Sequence, residues 1–183
     1  MSPFVIGLIV VAVVLLIVIV WAISASNKLN KAIVKIDEST SDIDVALTKR
    51  YDVLVKMIET VKGYVKHEKE TLIEVVKYRN DMTIQEKNEA NHQMSEGLKK
   101  LNILAESYPD LKASENFQTL QKTILDVEEH LQASRRVYNA NVSYFNQLIV
   151  TFPISIVAGI KHCVKKDFFV AEETKKEDVK IEF

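Results

Sequence analysis

The sequence predicts an all-α protein, in which an N-terminal transmembrane helix precedes an antiparallel bundle of three to four long helices. Residues 4–23 form an uncharged apolar run of 20 residues, and the whole 183-residue chain contains only 4 Gly and 3 Pro. So few helix-breaking residues favour long helices. In the polar remainder, apolar residues recur in steps of three and four, as on one face of a helix.

The apolar run contains Phe4, Gly7 and Leu15, and Trp21 lies near its end. A helix of this length rises about 30 Å, the thickness of the hydrocarbon core of a bilayer. A lone segment in lipid satisfies its own peptide groups only as a helix. The alternative is a cleaved signal peptide, which needs a basic start and a shorter apolar stretch of roughly 7–15 residues. We therefore predict an uncleaved anchor over residues 1–26.

Lysines lie on only one side of this anchor. Lys28, Lys31 and Lys35 follow it, whereas no Lys or Arg precedes it. The positive-inside rule then predicts a single-pass cell-membrane protein with its N-terminus outside and its bundle in the cytoplasm. The net charge of −1 disfavours a nucleic-acid partner. The single cysteine, Cys163, cannot form an internal disulfide, as is usual in a reducing compartment.

The predicted bundle covers residues 27–165, and its first helix extends from about Asn27 to Asn80. Apolar side chains there alternate between two heptad positions, namely Leu47, Tyr51, Leu54, Ile58, Val61, Val65, Leu72 and Val75. This spacing gives one apolar seam along a helix. We interpret that helix as continuous with the anchor and roughly 80 Å long.

The second predicted helix begins at a capping box formed by Thr83 and Glu86 and ends before Pro109. Its clearest apolar residues lie in its second half. Its first half, from about residue 88 to residue 93, is polar. We therefore expect that half to fray or to face water.

The third predicted helix has the most regular heptads in the chain. One position repeats as Phe117, Ile124, Leu131, Tyr138, Phe145 and Phe152, and the other as Leu120, Val127, Ser134, Asn141 and Leu148. Ser114 is placed to cap its start, and Pro153 ends it. The apolar stretch 154–160 predicts a short fourth helix. Residues 166–183 alternate charge without an apolar face and are predicted to form a loose tail.

Several motifs in this order resemble the signature of the LemA family. Among them are Ile43-Asp44-Val45, Lys49-Arg50-Tyr51-Asp52, Ala105-Glu106-Ser107-Tyr108-Pro109, Arg135, Tyr138-Asn139 and Asn146. The resemblance covers about residues 27–160. It implies a bacterial, membrane-anchored, helical protein, and so an architecture more than a reaction.

The residue types of an active site are present but are not spaced as one. His67, His92, His130 and His162 lack metal-ligand spacing, and Thr71 stands where a zinc-protease helix would have its second histidine. The four glycines form no phosphate-binding loop. We therefore predict no catalytic residue, cofactor or metal, and expect that the protein is not an enzyme; an enzyme with an unrecognised site is a further alternative.

Polar residues interrupt the apolar seams at Glu68, Arg79, Ser134 and Asn141. A polar group at a core position costs stability unless it is paired. We interpret this polar seam as a device that fixes the register of the helices, as a buried Asn does in coiled coils.

The alternative is that polar seam residues face a partner. Tyr64, His67 and Glu68 lie within about one helical turn and form the candidate interaction face. These features favour a non-enzymatic scaffold or adaptor that presents a helical bundle to a protein partner, which the sequence does not identify. The other reading is a structural protein that forms homo-oligomers and organises or shapes the membrane.

Overall fold

The computed structural model describes residues 2–64, 78 and 81–170. These residues form helices and connecting turns without a β-strand, so the all-α prediction is confirmed. The helices are α1 (Pro3–Lys62), α2 (Ile84–Ser107), α3 (Pro109–Ala113), α4 (Glu115–Val150) and α5 (Ile154–Ile160). The chain divides into two compact units. Unit 1 contains residues 1–38 and 140–167, and unit 2 contains residues 39–139 and the chain from Phe168 onward.

Helix α1 joins the apolar run to the first bundle helix without a break. It ends at Lys62, so the predicted end near Asn80 is wrong. Gly63 and Tyr64 close the last turn by donating to the carbonyls of Thr60 and Val61, a tightened i→i−3 pattern. Glycine is also a poor helix former. The predicted seam residues Val65, Leu72 and Val75 lie outside the described residues.

The apolar run of α1 is exposed from Phe4 to Val20, and Trp21 and Ala22 near its end are half-buried. Phe4 is 78% exposed and Leu15 57% exposed, and Gly7 has open space around its Cα. Among the described residues, α1 is the one helix long and apolar enough by itself to cross a membrane. Helices α4 and α5 meet the same criterion only when taken together, and α5 is bent by 93° from α4.

In unit 2, α1, α2 and α4 pack side by side. Asp44 of α1 contacts Lys87 of α2, and Arg50, further along α1, contacts Asn91, further along α2. Residue numbers increase in the same direction on both helices, so α1 and α2 are parallel. Helix α4 runs in the opposite direction, since its residues Gln121 and Glu128 contact Asn102 and Arg50. Tyr78, which precedes α2, donates to Asp44 of α1.

Predicted heptad residues such as Leu54, Ile58 and Val61 lie in the core of unit 2, which also includes Val53 and Met57, residues that the heptads did not select. Buried side chains from α1, α2, α3 and α4 meet in one apolar cluster, namely Val53, Leu54, Met57, Ile58, Val61, Ala90, Met94, Leu98, Leu101, Ala105, Leu111, Phe117 and Ile124. Val127, Leu131 and Tyr138 continue the buried seam of α4. The predicted seam fails at Phe152, which is 77% exposed because α4 ends two residues earlier at Val150.

The helix ends follow the predicted capping residues. Thr83 Oγ1 accepts from Glu86 N at 3.3 Å, while Glu86 Oε2 accepts from Thr83 N at 2.7 Å, which completes the capping box. Ser114 Oγ accepts from Phe117 N at 3.2 Å at the start of α4. Pro109 is the first residue of α3, where its missing N–H costs nothing.

In unit 1, the short helix predicted at residues 154–160 is confirmed as α5. It ends in a Schellman motif, in which Cys163 N donates to Ala158 O at 2.9 Å and His162 N donates to Gly159 O at 3.1 Å. His162 accordingly takes a left-handed conformation with φ of 52°. This turn ends the helix and sets the direction in which the chain leaves it.

We expect Leu131→Ala to lower the free energy of unfolding by about 2–5 kcal/mol, because it leaves a cavity in a packed seam. Leu131 is fully buried at 0% exposure, whereas Leu125 on the same helix is 66% exposed. Leu125→Ala is the matched control and should change stability little. Chemical denaturation of the detergent-solubilised chain, followed by circular dichroism, measures both. Equal effects would show that the buried face of α4 has been misassigned.

Candidate functional site

Arg50 of α1 holds a charge inside unit 2, where its side chain is 3% exposed. Its Nη1 donates to the backbone carbonyl of Asn91 at 2.8 Å and to the side-chain oxygen of the same residue. Its Nη2 donates to Ser95 Oγ at 2.9 Å and forms an ion pair with Glu128 of α4. One guanidinium thus connects three helices. Its Nε has no hydrogen-bond partner among the described residues.

The first half of α2 supplies much of this polar centre. It was expected to fray or face water, but Asn91 is buried at 3% exposure and Lys87 equally so. The expectation is wrong because these polar groups find partners on α1. Lys87 Nζ lies 2.6 Å from Asp44 Oδ1, and Asn91 receives Arg50. A polar face is compatible with burial when every charge on it is compensated.

Asp44 is also bound by Tyr78, whose hydroxyl donates to Asp44 Oδ1 at 2.7 Å. Burial of the phenol, together with this hydrogen bond and the nearby carboxylate charge, raises the pKa of Tyr78 well above its usual value. The phenol is therefore a fixed donor at neutral pH. It ties the chain before α2 to the middle of α1.

A second polar cluster in unit 2 binds a peptide backbone. Asn139 of α4 donates from Nδ2 to Phe169 O at 2.9 Å and accepts from Phe169 N at 2.8 Å. The next residue, Val170, donates to Asn88 Oδ1 at 3.2 Å, and its carbonyl accepts from Arg135 Nη2 at 2.6 Å. We call Asn88, Arg135 and Asn139 the backbone clamp.

The clamp also fixes one side chain of the segment it binds. Phe169 is 1% exposed, and the Arg135 guanidinium lies 4.8 Å from the centre of its ring in a cation–π contact. Main-chain hydrogen bonds are tolerant of sequence, whereas one buried aromatic side chain sets the register. A loose tail was expected from residue 166, but Phe169 and Val170 are held; residues 171–183 lie outside the described residues.

In unit 1, Asn146 repeats the same kind of contact. Its Nδ2 donates to Lys166 O at 2.9 Å, and its Oδ1 accepts from Lys166 N at 2.9 Å. Asn141, from the predicted polar seam, donates to the backbone carbonyl of Lys35 on α1 at 3.0 Å. The partner of Asn141 is thus a main-chain group of a neighbouring helix, and a role of Asn141 in fixing the register of the helices stays a prediction.

The structure describes two of the other predicted site residues, Ser134 and Tyr64. Ser134 is half-buried and lines a shallow depression of unit 2 that also contains Asp42, Lys49 and His130. Tyr64 is 41% exposed in the turn after α1. His67 and Glu68 of the candidate interaction face, and Glu68 and Arg79 of the polar seam, lie outside the described residues.

The polar groups of unit 2 are arranged to hold the chain together and to bind peptide groups. The charges of Arg50 and Lys87 are compensated by Glu128 and Asp44. In the part of the chain that the structure describes, no group of three or more His, Cys, Asp or Glu side chains is positioned to hold a metal ion. The backbone clamp is the arrangement with the clearest binding chemistry.

The sequence profile of the LemA family matches residues 39–183. The chain belongs to the LemA family. It is also 31% identical over 162 residues to protein LemA of Metamycoplasma hominis, an alignment that covers 86% of this chain and 74% of that relative.

The LemA motifs quoted from the sequence coincide with the polar contacts. Asp44 and Arg50 hold the polar contacts of α1 with α2, Arg135 and Asn139 belong to the clamp, and Asn146 holds Lys166. Sequence reasoning did not select these residues as sites, although the motifs contain them. Each of these residues is polar, belongs to one of the quoted motifs and lies outside the predicted apolar heptads, and this combination could have identified it in the sequence. Asn88, Lys87 and Asn91 carried no such signal.

We expect Arg50→Ala to lower the free energy of unfolding by about 3 kcal/mol, since it leaves Glu128 and Asn91 without their partner. The value lies at the low end for a broken buried pair because Glu128 is 27% exposed. Arg50→Lys should not restore stability, because an ammonium cannot reproduce the fork of bonds.

The matched control is Lys49→Ala, at the adjacent exposed position of α1. It should change stability by no more than about 0.5 kcal/mol. Chemical denaturation of the three variants beside the natural chain measures these differences. If Arg50→Lys were as stable as the natural chain, the bonds to α2 would not contribute as described.

Proposed function

We propose that this member of the LemA family is a non-enzymatic, membrane-anchored adaptor whose helical bundle binds the backbone of a peptide segment. The observation that carries the proposal is the backbone clamp, in which Asn139 pairs with both main-chain groups of Phe169. In this reading the chain's own tail occupies a binding site that a segment of a partner also fits. The exposed apolar run of α1 supports the membrane anchor.

The chemistry of the clamp favours a protein partner. A side-chain amide offers both a donor and an acceptor, so one Asn satisfies one residue of a peptide backbone completely. Arg135 adds a charge-assisted bond to Val170 O and covers the Phe169 ring. The expected ligand is therefore a non-helical segment with an aromatic residue at the position of Phe169.

We further propose that the bundle is cytoplasmic and the N-terminus external, from Lys28, Lys31 and Lys35 after the anchor. A phosphatase that is active only outside the cytoplasm should be silent when fused after Phe183. A control with Ser2→Lys and Pro3→Lys, and with the three lysines replaced by Gln, should shift the chain toward the opposite orientation and raise activity. Activity from the natural fusion would refute the orientation.

The clamp is tested with a fluorescent peptide of residues 164–170 and the full-length chain in detergent. Phe169→Ala weakens the hold on the chain's own tail, so this variant should bind the peptide more tightly than the natural chain does. Adding Asn139→Ala should abolish the gain. Adding Val137→Ala, a change at a 52% exposed position of the same helix, should not. Fluorescence anisotropy measures each affinity.

The same contacts support a second function, self-assembly by exchange of tails between copies. Phe169 and Val170 of one molecule would then occupy the clamp of another. Size measurement at increasing protein concentration separates the two functions. A monomer that binds the peptide supports the adaptor, and a dimer that Asn139→Ala dissociates supports self-assembly. Peptide binding that is unaffected by Asn139→Ala would contradict both.

A further inference from the structure

Unit 1 exposes an apolar stripe around α5. Phe152 is 77% exposed, Ile156 52%, Ile160 74% and Val164 70%. Ile156 and Ile160 are four residues apart in α5 and share one face of it. The opposite side of the helix is buried through Val157 and Ala158. Exposed large apolar side chains grouped along the chain in this way indicate a protein or membrane contact.

Contacts within unit 1 locate this stripe beside the end of the apolar run of α1. Lys161, directly after α5, donates to Ser26 Oγ at 2.9 Å and to Asn30 Oδ1 at 2.7 Å. Ser26 is three residues beyond Ile23, the end of the run, which is a rise of about 4.5 Å. The stripe is therefore level with the position where α1 would leave the hydrocarbon core.

The direction of α5 fits a membrane surface. Asn141 of α4 contacts Lys35 of α1, and Lys161, after α5, contacts Asn30 and Ser26, which lie nearer to the apolar run. The chain from residue 141 to residue 161 therefore extends toward the apolar run of α1. Because α5 is bent by 93° from α4, it lies across that direction. A helix that binds at an interface lies in the membrane plane, with its apolar face about 5–10 Å into the headgroup region.

The charges around α5 suit anionic lipid. No acidic residue occurs between Glu129 and Asp167, whereas Lys161, Lys165 and Lys166 follow the helix within six residues. Basic residues near a bilayer are attracted to acidic headgroups. We propose that α5, with Phe152 and Val164 at its two ends, is a second membrane contact that inserts into the headgroup region of the leaflet beside the anchor. The proposal rests on the proposed membrane anchoring.

The test uses the full-length chain in vesicles of phosphatidylcholine and phosphatidylglycerol, with lipids brominated near the headgroup as quenchers. Trp21 is the only tryptophan, so Ile156→Trp in a Trp21→Phe background reports on α5 alone. Its emission should be blue-shifted and quenched by the brominated lipid, and less so without phosphatidylglycerol. Val137→Trp in the same background is the control, and it should emit as a water-exposed, unquenched residue.

Two outcomes separate failure of this inference from failure of the anchor. If Trp21 of the natural chain is quenched but Trp at position 156 is not, the anchor is supported and α5 does not contact the bilayer. If neither is quenched, membrane anchoring itself is refuted. A blue-shifted but unquenched tryptophan at position 156 would mean that protein covers the stripe, which also overturns the proposal.

Discussion

The buried guanidinium of Arg50 is the constraint on which the arrangement of unit 2 depends. A charge moved from water into a protein interior is costly unless it is paired and hydrogen-bonded. Arg50 meets this condition only when Asn91 and Ser95 of α2 and Glu128 of α4 converge on it. Apolar seams alone tolerate sliding by a heptad, because one leucine can replace another. The directed bonds of Arg50 select one rotation and one height for each helix.

Residue patterns alone predicted the apolar faces of α1, of α4 and of the second half of α2, the caps at Thr83 and Ser114, and the existence of α5. They did not predict that α2 is parallel to α1. Periodicity tells which face of a helix is buried but not the direction in which a neighbour runs, since a reversed helix presents a similar stripe. Single contacts such as Tyr78 with Asp44 have no periodic signal either.

Polar residues were harder to place than apolar ones, for a physical reason. Lys87 and Asn91 form a hydrophilic face of α2 in sequence, and such a face usually meets water. Whether it is buried depends on partners more than 40 positions away, at Asp44 and Arg50. Only the LemA motifs pointed to Arg50, Arg135 and Asn139, and they did so without saying what each side chain binds. The Asn141 amide, by contrast, was predicted to need a partner on a neighbouring helix and has the carbonyl of Lys35.

The way in which Asn139 holds Phe169 has a consequence for how this part of the chain can evolve. The amide reads an N–H and a C=O that all residues except proline possess, so neighbouring side chains such as the exposed Phe168 are free to drift. The segment can therefore change at its exposed positions and keep its path, provided that Asn139, Asn146 and the buried Phe169 are retained.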